Sequence, residues 1–233
     1  NWLPISGILN IIKIIIFLAF LFSLSNNTAF AEGGLMDNIG ISLYGGTAVP
    51  ISGEYTSNLK TTDMLDIGPK FGLGISYYFT EQVGIEGIFQ YEYNYYKEKY
   101  RTPGMEPVRT NFSINANLIY FFNEMLREDF IRPFGRAGLG LYSWAYRENG
   151  ASGEISKVGN DDFKALSFGF NIGAGADFKL MEDLTVGLVL DFNMFFPKDE
   201  KKFGYFFAEQ GSLSPQLKVS YYIPTLVYKD APL

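Results

Sequence analysis

From Phe71 to Phe79 the chain reads FGLGISYYF, with Phe71, Leu73, Ile75, Tyr77 and Phe79 on one parity and Gly72, Gly74, Ser76 and Tyr78 on the other. A period of two marks a strand whose faces meet different surroundings. The alternation recurs along the chain and predicts eight strands, at about 39–48, 67–79, 83–96, 110–122, 133–146, 164–178, 184–196 and 212–223. One face of each is apolar, as in Val83/Ile85/Phe89/Tyr91/Tyr93, Phe112/Ile114/Ala116/Leu118/Tyr120/Phe122 and Leu184/Val186/Leu188/Leu190/Phe192. The other is polar or small, as in Asn111/Ser113/Asn115/Asn117 and Gly169/Asn171/Gly173/Gly175/Asp177. Connections alternate in length: Thr80-Glu81-Gln82 and Lys179 to Asp183 are short and Asn123 to Arg132 is moderate. Those around 49–66, 97–109, 147–163 and 197–211 are longer and more polar.

A soluble sandwich or barrel would point its largest apolar residues inward. Eight apolar bands outside a small, polar interior are the reverse arrangement, which suits lipid outside a narrow lumen. The pattern therefore predicts an all-β fold, an eight-stranded antiparallel up-and-down transmembrane β-barrel, with short turns at one end and four long loops at the other. The interior parity carries charges at Glu86, Glu92, Arg136, Asp177, Asp191 and Lys218. An isolated buried charge costs several kcal/mol. A network is expected, with Arg136 on Glu86 or Asp177 and Lys218 on Asp191.

Residues Ile8 to Leu24 are the one long apolar run, interrupted by Asn10 and Lys13. The stretch Ile14–Leu24 has the length of a signal h-region, and Ala29-Phe30-Ala31 fits an A-x-A cleavage site. This predicts a signal peptide over 1–31 and a barrel domain with a short C-terminal tail over 32–233. The competing reading of the same run is an uncleaved inner-membrane anchor. Aromatic content of 17%, with 22 Phe and 16 Tyr, supplies the interfacial girdles such a barrel needs. A formal net charge of −6 argues against nucleic acid as a partner. With no Cys and no His in the chain, thiolate chemistry, the Ser-His-Asp triad in its usual form and His-based zinc sites are excluded. No cofactor or metal site is expected.

The eight-strand pattern over about 39–223, the first strand Gly40-Ile41-Ser42-Leu43-Tyr44-Gly45-Gly46 and the segment Arg132-Pro133-Phe134-Gly135-Arg136-Ala137-Gly138-Leu139-Gly140 carry a resemblance. The chain resembles the small outer-membrane β-barrel family that includes the OmpA transmembrane domain and the OmpX and Ail-type barrels. The resemblance implies location in the bacterial outer membrane and a role as envelope anchor, adhesin, complement-evasion protein or narrow channel. Two departures stand out. Only Pro224 to Leu233 follow the eighth predicted strand, so the peptidoglycan-binding domain of full OmpA-type proteins is not expected. The last strand also lacks the usual terminal aromatic, since Ile223-Pro224 follows Tyr221-Tyr222.

The reading that follows is a non-enzymatic outer-membrane barrel presenting four surface loops for envelope integrity, surface interaction or adhesion. The alternative is a narrow OmpW-like channel for ions or small apolar molecules. Expected partners are outer-membrane lipids including lipopolysaccharide, and an extracellular ligand or host surface. The most basic loop holds Lys97, Lys99, Arg101 and Arg109, which are candidates for contacts to lipid phosphates. Carboxylates at Glu54, Asp63, Asp66, Asp161-Asp162 and Asp199-Glu200 read as solvated loop charge.

Overall fold

Alternating runs of the predicted length do form strands, and the strands close. In the computed structural model, which describes residues 38–56, 58–122, 130–181, 183–197 and 209–224, eight long strands occur in order. They are β1 (Asn38–Thr56), β2 (Gly68–Tyr78), β3 (Val83–Tyr95), β4 (Val108–Phe121), β5 (Ile131–Arg147), β6 (Lys164–Lys179), β7 (Leu184–Phe196) and β8 (Gln210–Pro224). Each is antiparallel to its sequence neighbour, and β1 pairs with β8, with Leu43 opposite Val219. Closure leaves no sheet edge, which a wall in lipid requires, because hydrocarbon offers no partner to an unpaired N–H or C=O. The expected signal segment, the tail beyond residue 224 and Asp199-Glu200 lie outside the described residues.

The parity reading of the wall agrees with the observed exposure. Leu118, Leu139, Leu188 and Leu217 are each about three-fifths exposed at 57–58%, and Phe71, Phe168 and Ile172 are exposed beside them. A belt of bare aliphatic and aromatic side chains around a whole barrel is far larger than the apolar patches of soluble proteins, and lipid is what covers it. Among the described residues no helix is long and apolar enough to cross a membrane. The crossing is made by strands.

Several strands run past their expected ends. A tilted strand needs only about 9–11 residues to span hydrocarbon, yet β1 has 19, β5 has 17 and β6 has 16. The largest departure is at the loop end of β1, which continues through Ile51 to Thr56 instead of stopping near Ala48. The β1–β8 register shifts between Pro50 and Ser52, and Gly53 has φ of 122° there. That bulge was not legible as strand, because Pro50 and Gly53 are turn residues by propensity. The first loop then makes a two-residue strand, Leu59–Lys60, and one helical turn, α1 (Thr61–Met64). The second loop contains a single 3-10 turn at Glu98–Tyr100, and the third a small hairpin pairing Lys157 with Asp162.

Candidate functional site

Among the described residues the interior gathers buried charged side chains, and register decides which groups meet there. Arg136 on β5 and Asp191 on β7 both lie opposite Gly173 of the intervening β6. A side chain at 173 would fall on the Asp191 carboxylate and against Arg136. Glycine leaves the two charges free to join across it. Arg136 Nε donates to Asp191 Oδ1 at 3.0 Å and Nη2 to Oδ2 at 2.5 Å, a bidentate pair. Its Nη1 reaches across to Glu86 Oε2 at 2.7 Å and to the Tyr44 hydroxyl at 3.0 Å. Tyr44 donates in turn to Glu86, and its ring lies 5.1 Å from the guanidinium carbon. Gln216 Nε2 donates to Asp191 Oδ2 at 2.7 Å.

The same device builds a second pair. Asp177 on β6 and Lys218 on β8 both lie opposite Gly187 of β7, and Lys218 Nζ bonds Asp177 Oδ2 at 2.8 Å over it. The ammonium also sits 4.6 Å from the centre of the Phe134 ring. Of the two partners expected for Arg136 the structure shows Glu86, with Asp191 in the place of Asp177, and the expected pairing of Lys218 with Asp191 is corrected to Asp177. The two aspartates are exchanged because glycine positions in the register, rather than spacing along the chain, set the partners.

Glu92 anchors a third group nearer the loops. Lys70, directly opposite it on β2, lies 3.4 Å away, Arg109 Nη2 lies 3.6 Å away, and Asn111 Nδ2 donates at 3.2 Å. Arg109 also donates to Asn94 Oδ1 at 2.8 Å. Arg109 is therefore buried in the lumen and cannot reach lipid phosphates, which removes it from the candidate set for that role. Continuing the Asn111/Ser113/Asn115 parity back by two residues would have found it, and the Gly72/Gly74/Ser76 parity would have found Lys70. Among the described interior residues four carboxylates (Glu86, Glu92, Asp177, Asp191) then face four cations (Lys70, Arg109, Arg136, Lys218), all nearly inaccessible. The formal charges of the described interior sum to zero.

The other basic loop residues are tied locally. Lys97 Nζ donates to Thr62 O at 2.8 Å, Arg101 Nε to Tyr96 O at 2.6 Å, and Lys99 lies 4.7 Å from the Tyr100 ring centre. Lys97 thus joins the second loop to the first, while the contacts of Arg101 and Lys99 stay within the second.

Beyond the charged middle the interior is aromatic at both ends, where a polar or small lining was expected. At the turn end Tyr222, Tyr78, Phe121 and Phe134 are buried, with ring centres 5.5–5.9 Å apart in successive pairs. At the loop end Trp144, Tyr146 and Phe163 pack under Met64 and Leu65, Tyr146 stacking on Phe163 at 4.5 Å. Burial there also pushes the phenols of Tyr55 and Tyr96 above the usual tyrosine range, which keeps them neutral. The parity that should have shown these plugs was visible in Tyr142-Ser143-Trp144-Ala145-Tyr146, where the large residues take the inward positions. Among the described residues no group of three or more metal-ligating side chains is gathered.

A closed antiparallel barrel with a lipid-facing apolar belt and a packed polar lumen defines an integral outer-membrane protein. The chain belongs to the outer membrane protein β-barrel domain family, whose family model matches residues 16–201. No curated protein sequence matches the chain. Among solved structures it is similar to Neisserial surface protein A, at 16% identity and a TM-score of 0.52, covering 78% of this chain and 96% of that one. It is also similar to the outer membrane protein OprG from Pseudomonas aeruginosa, at 12% identity and a TM-score of 0.54, covering 84% and 100%. At such identities the likeness speaks to fold, and the family match sets the location in the bacterial outer membrane.

Proposed function

We propose that this protein is a closed, non-catalytic outer-membrane anchor whose loop-end surface serves envelope integrity or surface interaction. The observation that carries the reading is the neutral, paired set of eight charges in the lumen, flanked by aromatic packing at both ends. Each charge is spent on a partner inside the wall, which gives the network a structural role in fixing register and filling the narrow interior. The chain has no His, and the carboxylates of the lumen are engaged with cations, which supports a non-enzymatic role. Outer-membrane lipids including lipopolysaccharide are the partners of the belt and its rim. An extracellular ligand or host surface is the partner of the loops.

Proteoliposomes loaded with impermeant dextran and diluted into iso-osmotic small sugars or amino acids test the reading. The expected swelling rate equals that of protein-free vesicles. Solute-dependent swelling by properly inserted barrels would replace the anchor with the narrow-channel alternative. Exchanging the third-loop hairpin for a short Gly-Ser turn should abolish cell-surface binding while leaving the barrel assembled.

A further inference from the structure

The outer wall of the barrel carries a groove of about 410 Å³ at the loop end of β4, β5 and β6. Its floor is made of small side chains, Ser143 and Ala145. On the side toward the membrane it opens onto Phe112 and Leu166, both exposed and continuous with the lipid-facing belt. On the side toward the loops it is rimmed by Arg147 and Lys164. Lys164 lies opposite Ala145 in the register, two residues from Arg147, so both cations stand over the same floor.

The arginine is fixed in place. Its Nε donates to Thr110 Oγ1 at 3.3 Å and its Nη1 to Gly153 O at 2.8 Å. Lys164 pairs with Asp162 at 2.9 Å, but both side chains are well exposed, and such a pair contributes little and exchanges readily. Apolar side chains below and cations above, at the rim of the outer-leaflet wall, match an amphipathic anion of the same height. We propose that this groove holds a phosphorylated glycolipid of the outer leaflet, its phosphate on Arg147 and Lys164 and an acyl chain over Phe112 and Leu166. This rests on the lipid-partner reading above and moves it from the loop residues Lys97, Lys99 and Arg101 to residues on the wall.

Native mass spectrometry of the folded full chain in detergent tests it, with phosphorylated lipid A, the same lipid stripped of phosphate, and inorganic phosphate as probes. Binding should require both phosphate and acyl chains. R147Q/K164Q should weaken it by about tenfold or more, the scale of losing charge-assisted hydrogen bonds. S143F, which fills the floor and touches neither cation, should weaken it too, and K97Q/K99Q/R101Q should leave it unchanged. Equal binding of the dephosphorylated lipid, or unchanged binding by both R147Q/K164Q and S143F, would overturn the proposal. Equally strong binding of inorganic phosphate would overturn it in favour of a simple anion site. Since S143F removes no hydrogen bond, it keeps the test decisive if the double variant fails to assemble. Swelling of proteoliposomes would sink the closed-barrel reading and leave this lipid binding intact.

Discussion

Single glycines decide the chemistry of this interior. Gly173 and Gly187 each sit between opposite charges on flanking strands, and the absence of a side chain lets Arg136 meet Asp191 and Asp177 meet Lys218. Gly68 acts differently, since a Cβ there would strike the backbone carbonyl of Tyr93, which cannot move without opening the β2–β3 seam. Gly68→Ala should therefore cost about 1–3 kcal/mol in urea unfolding of the micelle-folded barrel. Arg136→Ala leaves Glu86 and Asp191 buried without their cation, and the expected loss is about 3–5 kcal/mol. Adding Glu86→Gln and Asp191→Asn should recover much of that loss. If the triple variant is no more stable than Arg136→Ala, the cost does not come from stranded charge.

At the scale of the element, alternation was legible nearly everywhere it governs a wall. The predicted strands at 83–96, 164–178 and 184–196 fall within a residue of β3, β6 and β7. These are the strands where lipid on one side and a packed lumen on the other enforce the period. What was not legible is where no such contrast exists. The loop-end extension of β1 passes through Pro50 and Gly53, and α1 is a short turn whose inward Met64 and Leu65 look like any loop residues until Trp144 and Phe163 are packed below them. Charge partners were equally hidden, because contacts across an intervening strand depend on register.

Two substitutions test this division of faces. Leu188→Arg places a charge on the lipid side of β7, and at mid-bilayer that costs about 2–4 kcal/mol. It should lower the yield of heat-resistant, membrane-inserted barrel, and full assembly would mean that the face assigned to lipid is wrong. Trp144→Ala empties the centre of the loop-end plug, and the loss should be about 3–5 kcal/mol. The first loop should become accessible to protease between Leu59 and Asp66 while the wall stays intact.

The whole molecule sets a charge-balanced interior in an acidic chain. The chain has a formal charge of −6, and none of it comes from the described interior, which balances four carboxylates with four cations. Uncompensated charge in a low-dielectric pore would either draw counter-ions through it or open it. Balanced charge between aromatic clusters is what the proposed closed lumen calls for. Eight strands allow such filling, since a barrel of that size has an interior just wide enough for its own side chains. The family sets where the protein resides, and the packing of the lumen argues for what it does there. At the loop end Lys97, Arg101 and Arg147 each donate a hydrogen bond to a backbone carbonyl.

Single-channel recording of the folded chain in a planar bilayer tests the closed lumen most directly. Inserted barrels, with insertion verified independently by protease protection, should carry no steady current across the applied voltage range. Reproducible conductance steps from the unsubstituted barrel, changed in size by Arg136→Ala, would contradict the account and make the ion-pair network a conducting path.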